Sequence, residues 1–596
     1  MFRRNWRIKR MSKNDRLDYL NEYGRWLSAG GMEPELKAEL EAIQGDTREI
    51  EERFYTELEF GTAGLRGILG AGTNRMNERV VKRATLGLAD YILTFEGAAM
   101  RGVAIAYDSR HKSREFALET ALTLCAKGIK AFIYDSLRPV PMLSYMLRRL
   151  NCIAGVVITA SHNPPKYNGY KVYWQDGGQA GPEQAEAIYS YIKKEDYFSG
   201  PTMPLDEAEE RGLLTWLSEK DDEDYYNDTL SVLQRPKLVK EQGGALKLVY
   251  TPLHGSGNLP VRTILKMAGI TNVSVVKEQE LPNGDFPTVA APNPEDPNAF
   301  TLAKTLANSV QADAIIATDP DSDRLGLAIR EKSGGFRVLS GNKIGSLLLY
   351  YILSAMRERG AIPKDGFVAK SIVSTTLADA ICAHFGVKVK NVPTGFRFIS
   401  ELIERSRTEP GEGTFVFGFE ESYGFLAGGF ARDKDAVCAA MLAAEACVYY
   451  RGLGKTLSDA LDEIEAMCGC YDEAAKSYTL SGKEGMERIS GAMAALRRDT
   501  PRAFADMTVT RFEDMRTGKA IEYSQKGEAE LKCETVGMNA VRFLLEGGAW
   551  ICVRPSGTEP KLKLYIGANA GTQAEVHSML DNLLSDADTK LIKLLG

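Results

Sequence analysis

The sequence predicts an α/β protein, with three similar α/β domains followed by a smaller C-terminal α+β domain. The chain has 596 residues, more than a single hydrophobic core usually supports. From residue 60 onward, short apolar runs alternate with longer segments of helical periodicity, which is typical of mostly parallel sheets covered on both faces. The last part of the chain instead predicts three strands and one long helix.

The elements follow in chain order. The N-terminal part, residues 15–58, predicts helices, because apolar residues recur there at helical spacing. Buried strands are predicted at 103–107, 131–134, 155–159, 246–251, 314–318, 366–370 and 414–418. Helices are predicted at 115–127, 261–268, 343–358 and 376–384. The C-terminal domain should contain strands at 541–545, 549–554 and 562–566 and a helix at 572–594. Stretches rich in Pro, Gly and Asp near 200–222 and 281–298 predict loops.

These elements group into five segments. We expect a helical extension at residues 1–55, α/β domains at 56–225, 226–338 and 339–465, and a C-terminal domain at 466–596.

Composition excludes several classes of protein. The net charge of −6 argues against nucleic-acid binding, which needs a basic face. The nine cysteines lack metal-ligand or redox-motif spacing, which favours reduced thiols in the cytoplasm. The apolar run at 345–356 is too short to cross a bilayer, and the basic first ten residues lack the apolar core of a signal peptide. We therefore expect a cytoplasmic protein without nucleic-acid or membrane partners.

A serine lies on a sharp turn after a predicted strand. The run Thr159-Ala-Ser-His-Asn-Pro164 leaves the strand abruptly, because proline cannot continue the hydrogen-bond ladder. Ligands of open α/β sheets bind beyond the carboxyl ends of strands, where Ser161 would lie. In isolation, a Ser-His pair in a turn more often only shapes the turn. Side chains of sequence neighbours rarely face each other, so a Ser161–His162 hydrolase dyad is not expected.

Three aspartates follow another predicted strand at alternate positions. Asp319, Asp321 and Asp323 would lie on one side if the backbone stays extended. Clustered carboxylates repel each other unless a cation neutralises them, so we expect one Mg²⁺ ion per chain here. A calcium EF-hand is excluded, because its glycine and glutamate positions hold Arg324 and Arg330. A solvated acidic turn is the alternative interpretation.

Two further loops suit a sugar phosphate. The run Arg554-Pro-Ser-Gly-Thr558 combines a guanidinium, two hydroxyls and the backbone N–H groups of a glycine turn, a set that favours phosphate binding. The run Gly418-Phe-Glu-Glu-Ser422 ends a predicted strand, and its acids and hydroxyl suit hydrogen bonding to sugar hydroxyls. Each loop alone is more often an ordinary turn.

The four runs, in this order and spacing, resemble the α-D-phosphohexomutase superfamily over residues of about 55 to 596. This superfamily includes phosphoglucomutases, phosphomannomutases and phosphopentomutases. Phe60-Gly-Thr-Ala-Gly-Leu-Arg-Gly67 is similar to its opening motif, and Ser340-Gly-Asn-Lys-Ile-Gly345 to the start of its third domain. The resemblance implies four domains around a central cleft. Phe419 stands where many members have glycine, which is similar to the long phosphoglucomutase and phosphopentomutase-like branch.

The resemblance also implies residue roles. Ser161 would carry the phosphoryl group and would bind Mg²⁺ together with the three aspartates. His162, Lys171 and Arg324 would lie near the transferring group, and His162 and Lys171 are the candidates for general acid and base. The implied substrate-binding residues are Arg66, Thr394, Gly395, Glu420, Ser422 and Lys434. The implied phosphate-binding residues are Arg554, Ser556, Gly557, Thr558 and Lys563.

The implied reaction interconverts α-D-glucose 1-phosphate and glucose 6-phosphate through a phosphoserine and a bisphosphorylated sugar, with a sugar 1,6-bisphosphate as activator. Mannose and pentose phosphates are alternative substrates, and the protein would be a monomer or a homodimer. A metal-dependent phosphatase is less favoured, because it needs neither a sugar-binding loop nor a second phosphate site. A non-catalytic sensor is less favoured too, because Ser161 and all three aspartates are present.

Overall fold

The computed structural model describes residues 18–61, 64–480, 482–525, 527–556 and 560–596. The predicted helical extension up to residue 17, and Gly557 and Thr558 of the phosphate loop, lie outside the described residues. The strands of the described residues form four sheets, three of them mixed and covered by helices and the last antiparallel. The predicted fold class is confirmed.

Three short helices precede the first sheet: α1 (Tyr19–Ser28), α2 (Pro34–Ala42) and α3 (Thr47–Phe54). Asp18 and Asp46 cap α1 and α3 by accepting hydrogen bonds from backbone N–H groups of the first turn. Trp26 is fully buried and contacts the rings of Phe54 and Phe198. The helical extension therefore packs its apolar face on the first α/β domain.

The first sheet has six strands in the order β1-β5-β4-β2-β3-β6, and β5 runs antiparallel to both of its neighbours. The strands are β1 (Leu65–Ile68), β2 (Val103–Tyr107), β3 (Ala131–Tyr134), β4 (Ala154–Ile158), β5 (Tyr167–Trp174) and β6 (Leu214–Leu217). The helices are α4 (Glu78–Ile92), α5 (Ala98–Arg101), α6 (Ser113–Ala126), α7 (Val140–Arg149), α8 (Pro182–Ile192) and α9 (Leu205–Glu210). The predicted loop at 200–222 is wrong, because α9 and β6 lie within it and β6 pairs with β3.

The second sheet has the order β11-β10-β9-β7-β8, and β9, β7 and β8 are parallel. The strands are β7 (Leu248–Thr251), β8 (Val273–Val275), β9 (Ala314–Thr318), β10 (Leu325–Arg330) and β11 (Phe336–Val338). The helices around it are α10 (Glu223–Ser231), α11 (Pro236–Gln242), α12 (Asn258–Ala268), α13 (Lys277–Glu280) and α14 (Thr301–Val310).

The third sheet has the order β13-β12-β14-β15. Its strands are β12 (Gly366–Ser371), β13 (Lys388–Val392), β14 (Thr414–Glu420) and β15 (Gly424–Ala427). Its helices are α15 (Gly341–Glu358), α16 (Leu377–Phe385), α17 (Phe396–Thr408), α18 (Ala436–Gly452) and α19 (Leu457–Cys468). One hydrophobic core contains buried side chains of the second and third sheets and nearly all of the alanine-rich helix α18. These two domains therefore share a core.

The fourth sheet is antiparallel, in the order β16-β23-β22-β21-β18-β19-β20, with β17 paired to β18. Its strands are β16 (Cys470–Thr479), β17 (Ala503–Phe504), β18 (Met507–Asp514), β19 (Lys519–Ser524), β20 (Gly527–Lys532), β21 (Val541–Leu545), β22 (Trp550–Pro555) and β23 (Lys561–Ala570). Its helices are α20 (Gly482–Arg498) and α21 (Gln573–Leu595). Short 3₁₀ helices lie at Glu219–Asp222, Gly243–Ala245, Pro297–Phe300 and Glu546–Gly548. Among the described residues no single helix has the length and apolar character to cross a membrane; α18 and α19 pass that test only as a pair, and they are bent by 88° at their junction.

Three of the four motif runs lie at equivalent positions. In each of the first three domains, a strand that is parallel to its inner neighbour turns back into an antiparallel strand: β4 into β5, β9 into β10 and β14 into β15. The serine, aspartate and Gly418–Ser422 runs lie at these three turns. The described part of the arginine run, residues 554–556, lies at the end of β22, which pairs with β23. The fold therefore gathers four loops that are far apart in the sequence.

Candidate active site

The serine turn places Ser161 against the aspartate cluster. Ser161 is buried and has a φ of 51°, in the left-handed region that only some residues adopt. Its Oγ donates a hydrogen bond to Oδ2 of Asp319 at 2.8 Å and lies 3.2 Å from Nδ1 of His162. The prediction that the side chains of Ser161 and His162 do not face each other is wrong, because the left-handed backbone brings the two neighbours together.

The three aspartates converge around one point. Asp319, Asp321 and Asp323 are buried, and one carboxylate oxygen of each lies within 4.8 Å of the other two. Ser322 has a φ of 51°, so the loop turns and the carboxylates converge without an extended backbone. Burial and the two neighbouring carboxylates raise the pKa of Asp319 well above its usual range. Such repulsion disappears when a cation binds, which makes the cluster a candidate metal site.

The cluster fits a divalent cation. Oδ1 of Asp321 and Oδ1 of Asp323 are buried and have no hydrogen-bond partner among the described residues. Buried polar atoms in native proteins are nearly always partnered, so two orphaned carboxylate oxygens indicate a ligand. Carboxylate oxygens are the ligands that Mg²⁺ and Ca²⁺ prefer. The hydroxyl of Ser161 lies beside the same carboxylates and is available as a further oxygen donor.

Two lysines compensate part of this negative charge. Nζ of Lys171 lies 2.9 Å from Oδ2 of Asp321, and Nζ of Lys434 lies 3.0 Å from Oδ2 of Asp323. Burial alone would raise the pKa of Asp321, but Lys171, a hydrogen bond with Asp319 and the charge of Lys434 together outweigh it and hold that pKa below its usual range. Burial acts to lower the pKa of Lys434, and the surrounding carboxylates overcome it and raise that pKa. Lys434 is therefore cationic.

Arg324 lies beside the aspartate cluster and lines a cavity next to it. Its backbone N–H donates to Oδ1 of Asp319 at 3.1 Å, and its guanidinium group forms an ion pair with Glu295. His162 lies close by, and burial together with the cations Arg324 and Arg66 holds the pKa of His162 well below its usual range. Its ring is therefore neutral. Glu295 was not predicted as a site residue.

Arg110 is a second residue that the sequence reasoning missed. Its buried guanidinium donates to the backbone carbonyls of Ser161 at 2.6 Å, Pro164 at 3.0 Å and Tyr167 at 3.1 Å. Asp108 lies 3.3 Å from Nε of Arg110, and both side chains are fully buried. Both residues directly follow β2, the strand beside β4, so the strand-end rule that selected Ser161 would also have selected them.

Glu420 is the last residue of β14 and is buried. Its Oε1 accepts a hydrogen bond from the backbone N–H of Gly395 at 2.7 Å. Burial raises the pKa of Glu420 to about 7, although Lys434 acts in the opposite direction. Ser422 lies in the turn that follows, and together with His162 it lines a cavity of about 500 Å³.

Phe419 lies on the face of β14 that packs against α15. It is fully buried and its ring packs against Gly345 of α15, where an added Cβ would lie only 2.4 Å from the ring. Side chains alternate along a strand, so Phe419 points to the helix and Glu420 to the opposite face. Phe419, which stands where many members of the superfamily have glycine, therefore fits because Gly345 of the neighbouring helix has no side chain.

The arginine loop borders a second cavity. Arg554 donates from Nη1 to Oγ1 of Thr394 at 2.5 Å, and with Gly395 and Ser556 both residues line a cavity of about 660 Å³. Lys563 lies opposite Arg554 on the neighbouring strand but lines the first cavity. Burial, helped by Arg554, lowers the pKa of Lys563. Two cross-strand cations favour an anion between them.

The predicted site residues thus form one network of contacting side chains and line two cavities. The network contains Ser161, His162, Lys171, Asp319, Asp321, Asp323, Arg324 and Lys434. Arg66 joins it through a 3.0 Å hydrogen bond from its Nη1 to Oδ1 of Asn163 in the serine turn. Ser422 and Lys563 line the first cavity with His162 and Arg324, whereas Thr394, Gly395, Arg554 and Ser556 line the second.

Family models match four consecutive parts of the chain. They are the alpha/beta/alpha domains I, II and III of phosphoglucomutase/phosphomannomutase at residues 57–198, 223–334 and 340–467, and the C-terminal domain at 510–584. The chain is 36% identical to a phosphoglucomutase of Staphylococcus epidermidis over 520 residues, which cover 87% of this chain and 92% of the relative. The chain belongs to the phosphoglucomutase/phosphomannomutase family.

Other members give the same result. A phosphoglucomutase of Staphylococcus haemolyticus is 37% identical over 541 residues, which cover 90% of this chain and 94% of the relative. The open form of pp63/parafusin, a phosphoglucomutase of Paramecium, superposes with a TM-score of 0.63 over 90% of this chain and 96% of that structure. Its sequence identity of 17% supports only the shared fold. The resemblance to the phosphohexomutase superfamily is confirmed.

Proposed function

We propose that the protein is a phosphoglucomutase, an isomerase that interconverts α-D-glucose 1-phosphate and glucose 6-phosphate through a phosphorylated Ser161. The observation that carries the proposal is the 2.8 Å hydrogen bond between the Ser161 hydroxyl and Asp319 within the three-aspartate cluster. A nucleophilic oxygen beside a cation site is what phosphoryl transfer requires. The names of the staphylococcal relatives favour glucose as the sugar.

The residues that would hold the metal are Asp319, Asp321, Asp323 and Ser161, and we propose one Mg²⁺ per chain. When bound, the ion offsets the charge that develops on the transferring phosphoryl group. Lys171 and Lys434 contact two of the aspartates and would add positive charge on the same side. Arg324 borders the cavity next to the cluster and would orient phosphoryl oxygens.

In the first step a sugar hydroxyl oxygen forms a bond to phosphorus while the bond between phosphorus and Oγ of Ser161 breaks. The hydroxyl proton must leave and the departing Oγ must gain one; we assign both transfers to His162, whose neutral ring lies beside Oγ, so that Ser161 is left as a hydroxyl. The alternative acceptor, Lys171, is less suited, because its ammonium group is already paired with Asp321. The second step reverses these bond changes at the other end of the bisphosphorylated sugar, which returns a phosphoryl group to Ser161.

The sugar phosphate would bind across the two cavities, with groups from each contacting it. Glu420, which accepts a hydrogen bond from Gly395 of the second cavity, would bind sugar hydroxyls through its carboxylate, and Ser422, which lines the first cavity, would do so through its hydroxyl. Arg554, Ser556 and Lys563, together with Gly557 and Thr558 outside the described residues, would hold the phosphate that does not react. One anion site serves both orientations of the bisphosphate, because either phosphate can occupy it in turn.

A coupled assay tests this proposal. Purified protein should convert glucose 1-phosphate to glucose 6-phosphate with Mg²⁺, and a catalytic amount of glucose 1,6-bisphosphate should activate it by loading Ser161. Ser161→Ala should abolish turnover, whereas Ser190→Ala, at an exposed serine of α8, should not. Faster conversion of mannose 1-phosphate or ribose 1-phosphate would keep the mechanism but change the substrate. Release of free phosphate without isomerisation would refute the mutase.

The remaining expectations are proposals as well. We propose that the protein acts in the cytoplasm as a monomer or a homodimer, and that its partners are small sugar phosphates. The domain boundaries at residues 55, 225, 338 and 465 remain part of this proposal. Light scattering during size-exclusion chromatography measures the oligomeric state, and limited proteolysis locates the boundaries.

A further inference from the structure

Three consecutive carbonyls of the aspartate loop are anchored from three different domains. The carbonyl of Pro320 accepts from Ser256 of the second domain, that of Asp321 from the N–H of Val140, and that of Ser322 from the N–H of Ala436. The last two donors begin α7 and α18, in the first and third domains. Of these three anchors, only Ser256 contributes a side chain, since both its N–H and its Oγ lie 2.8 Å from the Pro320 oxygen.

The segment that carries this anchor, residues 252–257, is here named the Ser256 turn. It follows β7 and packs directly under the aspartate loop. A Cβ at Gly255 would lie 2.5 Å from Cα of Pro320, and a Cβ at Gly257 would lie 2.4 Å from Oγ of Ser322. Backbone can approach this closely only where both positions are glycine. A side chain at either position would therefore displace the Ser256 turn or the aspartate loop.

The Ser256 turn also contains unusual backbone geometry. Leu253 and His254 are consecutive residues with positive φ, at 46° and 60°, a conformation that costs energy for residues other than glycine. The ring of His254 holds this conformation, with Nδ1 donating to the carbonyl of Leu281 at 3.2 Å and Nε2 lying 2.9 Å from Oγ1 of Thr288. Strained backbone that the surroundings enforce is common next to functional sites.

We propose that Ser256 is a positioning residue for the metal-binding aspartates, acting through its double hydrogen bond to the carbonyl of Pro320. That carbonyl lies between Asp319 and Asp321, so fixing it fixes where both flanking carboxylates point. Residues that orient metal ligands typically change metal affinity by about 10- to 100-fold when they are removed. The backbone N–H remains in a Ser256→Ala variant, so about tenfold is expected. This inference rests on the metal site assigned under Proposed function.

The test is the binding of Mn²⁺, used as a paramagnetic stand-in for Mg²⁺, measured by electron paramagnetic resonance on dephosphorylated full-length protein. The variant is Ser256→Ala. The matched control is Ser309→Ala in α14 of the same domain, whose hydroxyl also donates to a backbone carbonyl, that of Leu306, at 2.7 Å. The Kd of Ser256→Ala should rise about tenfold and that of the control should not change. The Mg²⁺ concentration for half-maximal activity should rise by the same factor, while kcat at saturating Mg²⁺ stays near that of the unchanged enzyme.

The outcomes separate the inference from the proposed function. An equal Mn²⁺ Kd for Ser256→Ala and the unchanged protein would overturn the inference, even if the melting temperature falls, because that result describes a merely structural residue. Failure of the unchanged protein to bind Mn²⁺ would instead overturn the metal assignment itself. If Ser256→Ala does not fold, Ser256→Cys keeps the shape with a weaker donor, and its Kd should still lie above that of the unchanged protein. An unchanged Kd in that variant would also overturn the inference.

Discussion

Replacing Arg110 by Met should unfold the serine turn more readily and abolish most activity. The guanidinium donates to carbonyls at both ends of that turn, and it is the ion-pair partner of a fully buried Asp108. Breaking a buried ion pair by removing one partner costs about 3–5 kcal/mol, because the other charge stays buried and uncompensated. For a domain of 150–250 residues, each kcal/mol lowers the melting temperature by about 2–4 °C. We therefore expect a decrease of roughly 6–20 °C.

Calorimetry and the coupled assay together check this reasoning. Because Met keeps most of the side-chain volume, the loss reports on hydrogen bonds and charge and not on a cavity. The double variant Asp108→Asn, Arg110→Met should regain part of the lost stability, since the uncompensated carboxylate is then gone. If Arg110→Met lowers the melting temperature by less than about 2 °C and keeps normal turnover, Arg110 does not support the serine turn.

Three further perturbations test other parts of the site. Gly345→Ala should push Phe419 out of place, lower the free energy of unfolding by about 1–3 kcal/mol and raise the KM for the sugar phosphate; unchanged melting and kinetics would contradict the packing argument. Because burial raises the pKa of Glu420 to about 7, its carboxylate forms as pH rises through that value, so KM should fall between about pH 6 and 8. The raised pKa of Glu420 also stabilises the folded state: this contribution is complete below pH about 4.5, the pKa of the unfolded chain, and is lost as pH rises through about 7. Glu420→Gln should remove the pH dependence of KM and this pH dependence of stability. If either one persists in the variant, Glu420 is not the group that titrates. Lys563→Met should raise KM about 10- to 100-fold with a small change in kcat, whereas Lys519→Met, at an exposed residue of β19, should do neither; a purely kcat effect would place Lys563 in the chemical step.

Much of the fold could be predicted because local patterns suffice for it. The strands 103–107, 131–134, 314–318 and 541–545 begin and end as predicted, since each is a short apolar run bounded by turn residues. The prediction of a loop at 200–222 failed, because a segment rich in Pro, Gly and acidic residues forms a helix and an edge strand there. That strand is selected by pairing with β3, which is a contact between distant parts of the chain.

The motifs of the site could also be located from the sequence, since all four lie at strand ends. Their geometry could not. The left-handed backbone at Ser161 and Ser322, which brings Ser161 to His162 and curls the aspartate loop, depends on contacts made by other loops. Phe419 is an example of the same limit: the sequence shows that it stands where many members have glycine, but only the structure shows that its ring packs against Gly345.

The sequence by itself determined the chemistry, because the residue types able to carry a phosphoryl group, bind a cation and hold a phosphate are visible in short runs. Tertiary structure decided how these groups meet. Arg110, Glu295 and the Ser256 turn have no motif of their own, since their roles arise only from contacts with residues that are distant along the chain. Hydrogen bonds and charge interactions act over a few ångströms in space, whatever the separation along the chain, so only the folded chain defines them.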